Sequence, residues 1–195
     1  PNSILVTKPK LDRYTKYKQG NLLVQLGFNY QLQKDQVKAT NYYSDALDII
    51  RKNPNEVYAI AYLFEKKGII DYALQSYQIA LEKDSKLNFN FQMALLYGQK
   101  GDSDKMIEKF LEESYTNPQN LFAIQNQLSR FMTENSDVNF NNALKKALLI
   151  RTQQNQDIFW NQYLSWYYVQ QKEFAKAFVQ EKAIYKRNPE SLSNI

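Results

Sequence analysis

Residues 23–46 read LVQLGFNYQLQKDQVKATNYYSDA, and residues 57–80 read VYAIAYLFEKKGIIDYALQSYQIA. Laid over one another at a shift of 34, small falls on small and aromatic on aromatic. Gly27 meets Ala61, Tyr30 meets Phe64, Ala39 meets Ala73, Tyr43 meets Tyr77 and Ala46 meets Ala80. A further shift of 33 reaches Ala94, Tyr97, Met106, Phe110 and Glu113. A fourth copy keeps Leu128 and Phe131. It needs three extra residues in its turn, from Thr133 to Asn142, before Ala143, Ala147 and Ile150. A fifth has Ser165, Tyr168, Ala177, Glu181 and Ile184. The aromatic series Tyr30, Phe64, Tyr97, Phe131, Tyr168 runs unbroken through all five.

The spacing inside each copy is helical. Leu23, Leu26, Gly27 and Tyr30 follow i, i+3, i+4, i+7, as do Val57, Ile60, Ala61 and Phe64. A second run follows a short turn: Ala39, Tyr43, Ala46, Leu47. Lys67-Gly68 and Lys100-Gly101-Asp102-Ser103 join the two runs of a copy. Asn53-Pro54, Asn117-Pro118 and Asn188-Pro189 separate copies, because proline ends a helix at the preceding residue and can open the next. One helical pair cannot bury its apolar face alone, so pairs stack. Gly27, Ala61 and Ala94 are expected where the two helices of a hairpin approach most closely.

The 195 residues suffice for one compact domain or one short array. Hydrophobic residues make up 44%, with 15 Tyr and 11 Phe against five Gly and five Pro, which favours helix over a β-sandwich or barrel. No cysteine is present, so disulfides and thiolate metal sites are excluded; no histidine is present, which removes the commonest general base. The net charge of +5 and pI near 9.1 come from lysines spread along the chain. No apolar run approaches the roughly 20 residues needed to cross a bilayer, and no signal peptide is visible. The compartment stays open: cytoplasmic, or cell envelope if a signal or anchor was trimmed ahead of Pro1.

The pattern resembles the tetratricopeptide repeat family, whose signature W-x-x-L-G-x-x-Y…A-x-x-x-F…P is matched best at Leu23-x-x-Leu26-Gly27-x-x-Tyr30…Ala39-x-x-x-Tyr43-x-x-Ala46 and in the following copy. The resemblance covers Gly20 to Pro189. It implies an all-α fold: a right-handed α-solenoid of about five helix-turn-helix repeats, at about 20–53, 54–87, 88–120, 121–157 and 158–191. Residues 1–19 are then an N-terminal extension, with a short capping helix expected near Leu11–Lys18, and 192–195 the cut start of a further helix. The fourth and fifth copies depart from the signature at Leu128, Ser165 and Glu181.

The resemblance also implies a function. The first helices of such an array line a concave groove that holds a peptide or helix of a protein partner. The groove positions here are Phe28, Tyr58, Tyr62, Phe91, Leu95, Gln125, Ser129, Gln162 and Trp166, with Gln31, Glu65, Met132 and Val169 behind. Aromatics on a nominally wet face fit this, because Tyr and Trp dominate binding hot spots; the alternative is that a tight superhelix buries them. The family's clamp for chaperone C-terminal carboxylates uses K-x-x-G-N in the first repeat. Val24, Gly27 and Phe28 stand there instead, and Tyr62 replaces the next Asn, so that ligand is not expected.

The expected role is a non-catalytic scaffold or assembly module without a cofactor or catalytic residue. Self-association through the C-terminal end is an alternative, since Phe178, Ala183, Ile184 and Tyr185 would lie partly on an uncapped face. RNA binding is less favoured. Lys66 is the only basic residue near the groove set, and Lys145, Lys146, Lys172, Lys176, Lys182, Lys186 and Arg187 gather on outer faces of the last helices. Asp102-Ser103-Asp104 reads as a helix cap, and Glu108 and Glu112 as partners of Lys105 and Lys109.

Overall fold

The computed structural model describes residues 19–134, 138–155 and 157–189. Among them are ten α-helices and no strand. The expected capping helix before Gln19 and the residues after Pro189 lie outside the described residues. The chain divides into two compact units, the first ending at Phe89 and the second beginning at Asn90.

The first unit holds two hairpins: α1 (Gln19–Leu32) with α2 (Gln36–Lys52), and α3 (Val57–Lys66) with α4 (Ile70–Lys83). First helix packs beside first helix and second beside second, which makes this a helical repeat. Gly27 is buried against its hairpin partner: a Cβ there would stand 2.4 Å from Tyr43 Cε1 and 3.1 Å from the Ala39 carbonyl. Gly20 has the same relation to the next hairpin, where a Cβ would meet Ile60 Cδ1 at 2.5 Å. Ala61, Phe64, Ala73 and Ala80 are fully buried.

Two opposing effects meet at Gly27. Alanine gains about 0.5–1 kcal/mol of helix propensity, whereas forcing a methyl into a closed contact costs about 1–3 kcal/mol. Tyr43 is only 1% exposed and has no room to withdraw, so the contact cost wins. Gly27→Ala is therefore expected to lower the urea midpoint of unfolding. A midpoint that rises would mean the ring swings aside.

Four of the turns inside the hairpins share one backbone pattern. Lys34, Gly68, Gly101 and Lys172 take positive φ of 63°, 70°, 75° and 59°. The next residue's N–H then reaches back to the carbonyl of the aromatic series: Asp35 to Tyr30 (3.0 Å), Ile69 to Phe64 (2.9 Å), Asp102 to Tyr97 (3.0 Å) and Glu173 to Tyr168 (2.8 Å). This is the left-handed helix ending that satisfies otherwise orphaned carbonyls. Asp35 and Asp102 then cap the second helix, accepting from the N–H of Lys38 (3.1 Å) and Lys105 (3.2 Å). Lys38, Lys105 and Lys176 fold back over the rings of Tyr30, Tyr97 and Tyr168. Between copies, Asn53 is extended and Asn117 non-helical ahead of Pro54 and Pro118, which open short 3₁₀ turns.

The second unit contains α5 (Asn90–Gln99), α6 (Ser103–Thr116), α7 (Leu121–Glu134), α8 (Val138–Gln154), α9 (Ile158–Gln170) and α10 (Phe174–Arg187). The pairs α5/α6 and α9/α10 are close hairpins. Among the described residues α7 and α8 meet far less, and α8 packs on α6 and α9 instead. Leu128 is fully buried at the position where the other copies carry Gly, Ala or Ser. The start of α9 then reaches α6: Ser114 Oγ and the Tyr163 hydroxyl lie 3.2 Å apart, and the Tyr115 hydroxyl donates to Asp157 Oδ2 at 3.0 Å.

Candidate binding faces

Buried tyrosines set the first-helix faces of the first unit. Tyr43 donates its hydroxyl to Gln31 Oε1 at 2.8 Å, and Tyr77 donates to Glu65 Oε1 at 2.7 Å. The two bonds are the same bond one repeat apart. Each ties the second helix of a hairpin to the end of the first. Gln31 and Glu65, expected behind the groove, thus carry a structural bond.

Around them the outer positions differ sharply in burial. Tyr58 is 58% exposed and Tyr62 53% exposed. Phe28 is half-buried, with the Lys67 ammonium 4.4 Å from its ring centroid. Lys66 lies 5.2 Å from the Tyr62 centroid, and the nearby Tyr62 raises the Lys66 pKa above the usual lysine value. Tyr58 sets its edge on Phe89, centroids 5.4 Å apart. The fold thus gathers Phe28, Tyr58, Tyr62, Lys66 and Lys67 on neighbouring first helices. Lys67 was missed in the sequence because it follows the last helical turn, where periodicity no longer assigns a face.

In the second unit the remaining aromatic positions are less exposed than Tyr58 and Tyr62. Phe91 is half-buried with its ring against Phe110 (5.8 Å), and Trp166 is half-buried against Tyr163 (5.4 Å). Leu95, Gln125 and Ser129 are half-buried, while Gln162 and Val169 are exposed. Met132 departs from expectation: it is buried, at 7% exposure, because the open fourth hairpin turns it inward. A polar cavity of about 280 Å³ lies beside it, lined by residues that include Ser129, Thr133, Asn141 and Gln171.

The acidic residues read as caps and partners behave partly as expected. Asp102 caps α6. Lys105, however, bonds Asp102 (2.9 Å) and Lys109 donates to Asn90 Oδ1 (3.2 Å), while Glu112 lies 3.8 Å from Arg151. The cap geometry pairs Lys105 with Asp102 at the turn, and Glu108 acts on it only as a nearby charge. Of the C-terminal basic residues, Lys176 pairs with Glu173 and Arg187 donates to Asn161 Oδ1 at 3.0 Å. Ile184 is buried; Phe174, Phe178, Val179 and Tyr185 are exposed along α10. Among the described residues no helix is long and apolar enough to cross a membrane.

The buried phenols make stability alkali-sensitive. Desolvation, then the neighbouring Tyr72, pushes Tyr43 up to about 12. Desolvation, followed by Glu173 and Tyr168, pushes Tyr167 up to about 12. Burial raises Tyr77 and Tyr163 as well. A raised acid pKa in the folded state favours the neutral phenol. The contribution is complete below about pH 10, the unfolded value, and is lost as pH climbs through about 12. Urea midpoints should hold level to about pH 10 and fall beyond it, with a shallower fall in Tyr43→Phe. A level midpoint through pH 12 would contradict this.

No family model and no curated protein matches the chain. Among solved structures it is similar to one titled "Crystal structure of BtubC (BKLC) from P. vanneervenii", at 18% identity and a TM-score of 0.41, over 92% of this chain and 83% of that one. No functional statement rests on that similarity.

Proposed function

We propose that this chain is a non-catalytic protein-binding module of the tetratricopeptide type, which holds a peptide or helix of its partner against its first-helix faces. The observation that carries the reading is the exposure of Tyr58 and Tyr62, 58% and 53%, beside Phe28 on adjacent first helices. Folding buries phenol rings wherever it can, and rings left out in register are the anchors that interfaces use. Of the four acidic groups singled out in the sequence, Asp102 caps α6 and Glu112 lies 3.8 Å from Arg151; the reading invokes no cofactor.

Selection from a phage-displayed random peptide library tests it. Enriched peptides should bind wild type and lose at least about tenfold in affinity on Tyr58→Ala/Tyr62→Ala, a loss expected of anchor residues. No enrichment, or undiminished binding to the folded double variant, would refute the reading. Binding that collapses steeply with salt and is competed by RNA would favour a nucleic-acid role instead.

A second reading has its own support. Phe174, Phe178, Val179 and Tyr185 of α10 are 63%, 68%, 60% and 44% exposed. The positions matching Phe178 and Tyr185 in the third copy, Ile107 and Ser114, are buried. A second copy seated on this stripe would make an assembly. Light scattering over a concentration series should then show association that Phe178→Asp abolishes; a monomer at every concentration refutes it.

A further inference from the structure

We infer that the partner segment received by the α1–α3 face is acidic, with an aromatic or aliphatic anchor flanked by carboxylates. The inference rests on the peptide-binding reading above and adds the chemistry of the peptide. Three rings and two cations converge on this face. Lys67 Nζ is 4.4 Å from the Phe28 centroid and Lys66 Nζ 5.2 Å from that of Tyr62. Each ammonium lies over the ring it covers, with Lys66 exposed and Lys67 half-buried. The one carboxylate within this turn of α3, Glu65, already accepts from the buried Tyr77 hydroxyl, which directs it toward the hairpin interior. Lys34, exposed at the turn after α1, adds a third positive group on this chain segment. Elsewhere in the chain three lysines that cover tyrosines pair with a carboxylate, Lys38 with Asp35, Lys105 with Asp102 and Lys176 with Glu173, while Lys145, 5.9 Å from the Tyr168 centroid, makes no such ion pair among the described residues. Lys66 covers the exposed Tyr62 and Lys67 the half-buried Phe28, at a turn where Gly68, Ile69 and Ile70 follow and the next carboxylate is Asp71 at the start of α4. An incoming carboxylate can meet each ammonium from its solvent side while the anchor lies on Tyr58 and Tyr62. Opposite charges across a wet rim set partner choice and association rate more than raw affinity.

The test uses fluorescence anisotropy with three labelled synthetic peptides. All share a central Leu-Trp-Leu anchor; the flanks are Asp/Glu, Gln/Ser or Lys. The acidic peptide should bind wild type about fivefold or more tighter than the Gln/Ser peptide at low salt, the scale of two solvent-exposed ion pairs. The Lys peptide should bind weakest. The preference should vanish in Lys66→Gln/Lys67→Gln, return in Lys66→Arg/Lys67→Arg, and shrink as salt is raised. Equal affinity for the acidic and Gln/Ser peptides would overturn the acidic-partner inference and leave peptide binding intact. Binding of none of the three would overturn the inference; whether peptide binding fails with it is read separately from the library selection.

Discussion

Phe64→Ala is expected to remove about 3–5 kcal/mol of folding stability, the usual cost of deleting a fully buried phenyl ring. Phe64 is completely buried. Its ring meets Tyr43 edge-on at 5.3 Å and lies over Tyr72 at 5.5 Å, so it touches both second helices of the first unit from the last turn of α3. Removing it takes away one of the two aromatic contacts of Tyr43, the other being Tyr72 at 4.9 Å; the Tyr43 hydroxyl anchors α1 through Gln31. Small domains hold only about 5–15 kcal/mol in total, so the variant should be partly unfolded near physiological temperature. Phe64→Leu keeps most of the volume and should cost less than about 1.5 kcal/mol. Urea unfolding followed by circular dichroism checks both. A Phe64→Ala loss under about 1 kcal/mol would show that the ring is not the centre of this core.

Trp160→Ala is expected to be as damaging in the second unit, again about 3–5 kcal/mol. The indole is 1% exposed. It stacks on Tyr115 at 5.2 Å, stands edge-on to Phe159 at 4.9 Å and carries the Arg151 guanidinium at 5.2 Å. One side chain of α9 thereby joins α6 and α8, the helices on which α9 rests. The cation contributes only about 0.5–1 kcal/mol at a partly exposed site. Arg151→Met should therefore cost far less than Trp160→Ala. Comparable losses in the two variants would mean that the guanidinium, and not ring packing, holds α9 in place.

The sequence carried the repeat because a hairpin contact admits few side chains. Gly27 and Ala61 sit where little else fits, and the aromatic series fills the space one turn on, so spacing alone exposes both. The left-handed turn position was half visible. Gly68 and Gly101 announce it, whereas Lys34 and Lys172 occupy the same conformation without a sign in their residue type. Glu113 falls at a position that carries alanine in the first two copies, and it is 4% exposed. Asn117 and Asn120 compensate by donating their amides to Glu113 Oε1 at 3.0 and 2.7 Å. Such a replacement is a chance of one sequence and leaves no period. Met132 was assigned to the wet side because the fourth copy was read in the register of the others. Contacts such as Ser114 with Tyr163, 49 residues apart, depend on how far that hairpin opens, which no local pattern encodes. On the first-helix faces, Tyr58 and Tyr62 could be read from register, but the partnership of Phe28 with Lys67 required the turn.

Amide chemical-shift mapping of the folded chain, titrated with the acidic Leu-Trp-Leu peptide, bears most directly on the claim that the first-helix face is the binding face. The account predicts perturbations centred on Phe28, Tyr58, Tyr62, Lys66 and Lys67 of α1 and α3, absent from the exposed positions of α2 and α4 and lost in Tyr58→Ala/Tyr62→Ala. Perturbations centred on α2 and α4, or a spectrum unchanged at saturating peptide, would contradict it.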